Sequence, residues 1–465
     1  MVLYRAKYLM NFSRATWLAE FRALYLLTMP ILITQLAQAG YGFIDTVMAG
    51  RVSPLDLSAV AIGSSIWLPL FFLMSGIVMA TTPLVAEAQG AQRSEDIPRI
   101  THQALWVGLV IGLIAMLILQ NVSFIFPLFD VPTNLQHQTE RYLYGVSFGM
   151  PSVALFCVLR FYSEALGSTK PIMAISLLGI VLNIPANYIF IYGLWGLPQM
   201  GGAGCGWGTA IVMGSMFLAL LAYVLYAPYF ASTRLLQHSI KPVASLIWHI
   251  VKLGFPIGAA IFFEVSLFSC IAILASPLGE LVVASHQISL SITSMLFMIP
   301  LSLAISMTIR IGQAYGRRDL ASIKLTRQVG LTTTVIIACC SAIGILLFRQ
   351  YLPVLYTPNH TVQQLAANLL LFAAAYQIFD ALQVGAAGCL RGIQNTRSPM
   401  IMTLIAYGMI ALPVGYGLAM WPLWNGQALG IYGFWFGLVV GLGFASLLLN
   451  WRLSVNIARL QHKGL

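Results

Sequence analysis

Long apolar stretches, almost free of charge and recurring along the whole chain, constrain this protein more than any other feature. Segments such as Val60 to Ala80, Ile172 to Tyr192 and Leu429 to Leu449 each approach the ~20 residues a helix needs to cross a bilayer. Only 8% of the 465 residues are charged and 59% are apolar, with a mean hydropathy of +0.86. Such a chain cannot have water as its main solvent. β-Barrel strands lack such runs, so the expected fold class is an all-α integral membrane protein.

Hydropathy predicts twelve transmembrane helices near 22–48, 56–80, 99–120, 139–160, 171–192, 203–226, 247–275, 281–308, 326–348, 362–387, 399–421 and 429–451. The net charge of +11 would suggest nucleic acid in a soluble protein. Sorted by alternate connections, however, 21 of the 24 Lys and Arg, Arg160 and Arg391 among them, fall on one side, leaving only Arg51, Arg141 and Arg349 on the other. By the positive-inside rule the basic excess is an orientation signal, with both termini cytoplasmic and no nucleic-acid partner. The stretch around Ala37-Gln38-Ala39 mimics a signal-peptide cleavage site, but cutting there would remove most of a helix that has a counterpart later in the chain.

That counterpart exists because the chain repeats itself. An offset of 226 carries Pro30 to Pro256, Ile66 to Ile292 and Gly90 to Gly316, and an offset of 228 carries Pro171 to Pro399, Pro185 to Pro413 and Tyr188 to Tyr416. The expected organisation is a six-helix lobe over 1–226, a cytoplasmic linker over 227–245 and a second six-helix lobe over 246–465. Two lobes of the same orientation are parallel repeats, and such bundles enclose a central cavity.

Asp45, Glu264 and Asp380 lie inside apolar segments, where an acidic residue costs ~2.5 to 3.5 kcal/mol and normally faces a cavity. Glu264 follows Lys252 by about 18 Å of helix and Asp380 precedes Arg391 by about 16 Å, which puts both near mid-membrane. No Lys or Arg is expected at that depth, so a mobile cation is the natural partner: Na+ on oxygen ligands, or a proton on a desolvated carboxylate. The competing reading is a protonated structural acid hydrogen-bonded to a neighbouring helix, or, for Asp45, a pair with Arg51.

Asn183, Asn187 and Thr209 are candidate oxygen ligands around Asp45, the two Asn standing on one helix face; interhelical hydrogen bonding alone would also explain them. Tyr376 precedes Asp380 by four and can reach the same cavity, although aromatics more often pack or anchor at the interface. His286 and Gln287 are secondary candidates. Pro30, Pro185, Pro256, Pro300 and Pro413 are expected to interrupt helices and permit bending. The six Cys have no paired spacing, and no phosphate loop or HExxH site is present, so energy must come from an ion gradient and no cofactor is expected.

Together, Gly42-Phe43-Ile44-Asp45-Thr46-Val47-Met48-Ala49-Gly50, Leu182-Asn183-Ile184-Pro185, Phe262-Phe263-Glu264-Val265 and Leu390-Arg391-Gly392 give the chain a full-length resemblance. It resembles the NorM branch of the multidrug and toxic compound extrusion (MATE) transporters. The resemblance implies a monomeric antiporter, not an enzyme, in the bacterial inner membrane, exporting cationic and amphipathic drugs such as fluoroquinolones and dyes in exchange for Na+ or H+. It assigns coupling to Asp45, Glu264 and Asp380, with Tyr376, Asn183, Asn187 and Thr209 as polar neighbours. The sequence departs from the family pattern at Ser291, where Asn is expected, and at Gln394-Asn395, where Lys-Asp is expected. A flippase for a lipid-linked saccharide fits the same scaffold but would suit a basic cavity. An intramembrane acid protease on Asp45 and Asp380 lacks any supporting motif.

Overall fold

The computed structural model describes residues 12–124, 126, 132–231, 233, 235, 241–422 and 428–462, and all regular structure among them is helical. The first half comprises α1 (Arg14–Gly50), α2 (Pro54–Val78), α3 (Thr81–Gly90), α4 (Asp96–Gln120), α5 (Thr133–Ser147), α6 (Gly149–Ala165), α7 (Lys170–Tyr192) and α8 (Gly204–Tyr226). The second comprises α9 (Ala244–Leu274), α10 (Glu280–Gly316), α11 (Leu320–Phe348), α12 (His360–Gly392), α13 (Arg397–Leu404), α14 (Leu412–Met420) and α15 (Ile431–His462). Eleven helices among the described residues are long and apolar enough to span a membrane, and the bent pair α5–α6 makes a twelfth span. Of the basic residues sorted by side, Arg5, Lys7, Arg234 and Lys463 lie outside the described residues, as does part of the expected linker.

The expected single helix over 139–160 is corrected: it breaks at Phe148 with a bend of 42°. Pro151 explains the break, because it has no N–H to offer the carbonyl of Ser147. The other prolines behave differently from expectation. Pro30, Pro185, Pro256 and Pro300 sit inside helices that continue through them. Only near Pro413 does the pattern change, where a wide π-helical segment over Ile405–Ala411 joins α13 to α14.

Polar caps close three of the helix N-termini. Ser13 accepts from the Thr16 N–H at 3.2 Å and Ser53 from Asp56 at 3.0 Å, ahead of Pro54 in the first turn of α2. Asp319 does the same for α11 through Ser322 at 3.0 Å, and the Ser322 hydroxyl holds its carboxyl below the usual range. Outward faces carry the reverse pattern. On α4, Val110, Leu113, Ile114, Leu117 and Ile118 are all exposed and form one helical stripe, an apolar surface that only lipid would cover.

The two halves meet by a reciprocal rule. A Cβ on Gly90 would overlap the carbonyl oxygen of Gln313, and one on Gly316 would overlap that of Glu87. These pairs exchange under the 226-residue offset, which also relates Ala86 to Gly312. A Cβ on Gly312 would lie 2.9 Å from that of Ala86, so this pair sits on the pseudo-two-fold axis itself. Nearby, Gly76 of α2 packs against the backbone of Gly258 in α9, and Gly254 against that of Ile77. Gln89 accepts from Gln313 at 2.9 Å, and Gln394 donates to Glu87 across the same seam. Glu20 of α1 pairs with Arg310 of α10 and accepts from Thr326 of α11 at 2.6 Å. These contacts cluster at the end of the molecule that carries Arg93, Arg317 and Arg318. Asp45 lies towards the other end, five residues before α1 terminates at Gly50.

Candidate functional site

The structure sorts the sequence candidates into two clusters, one in each half. In the first, Asp45 of α1 is 2% exposed and its carboxylate accepts from Asn187 Nδ2 at 2.6 Å and Thr209 Oγ1 at 2.7 Å. Asn183 receives Asn187 Nδ2 at 3.2 Å and donates to Thr209 at 3.4 Å, which completes a network between α1, α7 and α8. Gly208 makes this possible, since a Cβ there would occupy the space of the Asn187 amide. The alternative pairing of Asp45 with Arg51 is corrected: Arg51 is exposed and makes no ion pair among the described residues.

The second cluster lies in the other half. Asp380 and Tyr376 are 4% and 3% exposed, four residues apart on α12, and Glu264 of α9 is close enough for its charge to act on both. Asp380 Oδ1 receives no hydrogen bond from the described residues, and neither do the buried side-chain oxygens of Gln377 and Gln383. Neither Glu264 nor Asp380 forms an ion pair with a Lys or Arg among the described residues. Arg391, buried at the end of α12, acts electrostatically on Glu264, although the two form no ion pair and Arg391 instead reaches Met79 Sδ at 3.2 Å. Its long side chain extends back into the protein from the helix end, which residue counting along a helix does not register.

An aromatic layer backs this cluster. Trp435 of α15 lies 5.9 Å from the Tyr376 ring and donates from Nε1 to His286 Nδ1 at 3.2 Å. His286 is therefore a fully buried acceptor at that nitrogen, and Gln287 is exposed. Sequence reasoning missed Trp435, as well as Gln383 and Tyr407, which hydrogen-bond to each other.

It also missed a third group. Arg160 was expected on the basic face but is 3% exposed within α6, paired with Glu164 at 2.7 Å and donating to Gln35 and Gln38 of α1 at 2.8 and 3.0 Å. Gln38 is the repeat counterpart of Glu264, so the first half holds a neutralised ion pair at the layer where the second holds an acid. The i,i+4 spacing of Arg160 and Glu164 was the available signal.

No group of three or more His, Cys, Asp or Glu able to hold a metal ion occurs among the described residues.

The two copies of this scaffold, residues 30–189 and 256–417, each match the MatE family model, and the matches begin 226 residues apart and end 228 apart. The chain belongs to the MatE family. It is 48% identical over 445 residues to the probable multidrug resistance protein NorM of Acinetobacter baylyi, covering 96% of this chain and 98% of that one. It is 42% identical over 427 residues to the multidrug resistance protein NorM of Aliivibrio fischeri, covering 92% and 93%. Its fold matches the crystal structure of a eukaryotic MATE transporter with a TM-score of 0.86 at 18% identity, over 97% of this chain and all of the other. A membrane protein of eleven to twelve spans built as this transporter is built is thereby defined.

Proposed function

We propose that the protein is a multidrug efflux antiporter of the bacterial inner membrane, with both termini cytoplasmic, that exports cationic and amphipathic organic compounds in exchange for Na+. The multidrug resistance names of its relatives support the cargo class, and the 21-to-3 sorting of basic residues supports the orientation. In that orientation the close seam between the halves is cytoplasmic.

One observation supports the coupling assignment: the buried Asp380 Oδ1 stands in the second half without a hydrogen-bond donor among the described residues, on the same helix as buried oxygens of Gln377 and Gln383 that also lack one, and the charge of Glu264 acts on it. A hard cation supplies what such a group of acceptors wants. The first half is a poorer host at the equivalent layer, because Arg160 already meets both Gln38 and Glu164. Asp45, whose two neutral donors leave its charge uncompensated, is assigned to the organic cation. Na+ and cargo then oppose each other through linkage: loading one lowers affinity for the other, and rocking of the halves exposes the site to alternate sides.

Purified protein in liposomes loaded with ethidium, driven by a Na+ gradient or a pH gradient separately, tests this. Dye movement under the Na+ gradient alone is expected. Movement under the pH gradient alone would make the coupling ion H+.

A further inference from the structure

Resting on that reading of the second-half acids, we propose that Gln383 is a direct Na+ ligand through its side-chain oxygen, and that Tyr407 is the positioning residue that aims it. Tyr376, Asp380 and Gln383 are spaced i, i+4 and i+7 on α12, which puts all three on one stripe of the helix. Gln383 is 2% exposed and its Nε2 donates to the Tyr407 hydroxyl, so the amide is held by one end. Its Oε1 is buried and receives no hydrogen bond from the described residues, as is true of Asp380 Oδ1 one turn away. An amide in this state presents a fixed carbonyl dipole with no donor among the described residues to receive it, a state that buried polar groups rarely keep without a partner.

Tyr407 reaches this place through an irregular backbone. It lies in the π-helical segment Ile405–Ala411, where Ala406, Tyr407 and Ala411 are buried while Ile405, Gly408 and Met409 are exposed. π-Helical turns of this kind are frequent at functional sites. The Tyr407 ring is 2% exposed and close enough to Glu264 and Asp380 for their charges to act on it. The two acids give the site its charge; Gln383 gives it a neutral oxygen, which adds affinity and size selectivity for Na+ without adding a group to be neutralised.

The test uses the full-length purified protein and reads the rise in melting temperature as NaCl replaces choline chloride at constant ionic strength. Gln383→Leu is expected to raise the Na+ concentration giving half the maximal rise by about tenfold, the scale of losing one bond to a charged partner. Tyr407→Phe, which keeps the ring, shifts it the same way by a few-fold, and Gln383→Glu, which keeps an oxygen, retains the response. Monodisperse Gln383→Leu protein with the parental half-effect concentration overturns the proposal. Should that variant not fold, a parental response from Tyr407→Phe overturns it instead. Asp380→Asn separates the two levels: if it abolishes the Na+ response while Gln383→Leu does not alter it, only the ligand assignment fails. If Asp380→Asn responds as the parent does, the acid-site reading fails with it.

Discussion

Gly90 packs directly on the carbonyl oxygen of Gln313, with no room for a side chain between them. This contact and its reciprocal, Gly316 on Glu87, hold the two halves together at the end carrying most of the basic loops. Gly90→Val forces the helices apart, an overpacking cost of about 1 to 3 kcal/mol. Gln92 and Arg317 line one crevice at this seam, so a cross-link between Gln92→Cys and Arg317→Cys reports on it. Cross-linking yield should fall severalfold when Gly90→Val is added; an unchanged yield would mean that the seam does not govern closure.

Asp45 holds two hydrogen bonds from uncharged donors, and each matters differently. Thr209→Val removes one while keeping the shape, leaving a buried carboxylate oxygen unsatisfied, and should cost about 1 to 3 kcal/mol in thermal unfolding. Asp45→Asn keeps the shape and removes the charge. It should abolish ethidium efflux while preserving the Na+-dependent rise in melting temperature. Loss of that rise would place Na+ at Asp45 instead.

Arg160 and Glu164 form a buried pair, and their energetics are asymmetric. Arg160→Met strands the Glu164 charge and should destabilise by roughly 3 to 5 kcal/mol. Adding Glu164→Gln should recover most of that loss. A double variant no more stable than the single one would show that the bonds to Gln35 and Gln38, not the charge balance, are what Arg160 supplies.

His286 accepts from Trp435 at Nδ1, which leaves Nε2 to carry the ring proton and fixes a neutral tautomer. That bond holds Trp435 beside Tyr376, and a packing role of this kind predicts no part in proton transfer. Replacement by Gln should lower efflux at every pH by a similar factor. A displaced pH optimum would contradict this assignment.

Much of the molecule was readable from local pattern. Apolar length determined the spans, charge asymmetry the expected orientation, and the near-constant offset the duplication, because all three are properties of consecutive residues facing one solvent. The unpaired acids Asp45, Glu264 and Asp380 were legible for a similar reason: their cost in hydrocarbon makes them conspicuous wherever they fold. Asn183, Asn187 and Thr209 could be named as neighbours, but only packing of α7 and α8 around Gly208 joined them to Asp45.

What the tertiary structure alone decided was who meets whom. Arg160 reads as a loop cation until α1 brings Gln35 and Gln38 to it, and Arg391 reads as an end-of-helix charge until its side chain is seen turned inward. Gln383 is an ordinary amide and Tyr407 an ordinary aromatic; they become a unit through a π-helical turn, whose position no 3.6-residue periodicity predicts. Hydropathy is summed along the chain, but hydrogen-bond satisfaction depends on partners from other helices. The duplicated scaffold was therefore determined by sequence, and the unequal chemistry of its two halves by packing.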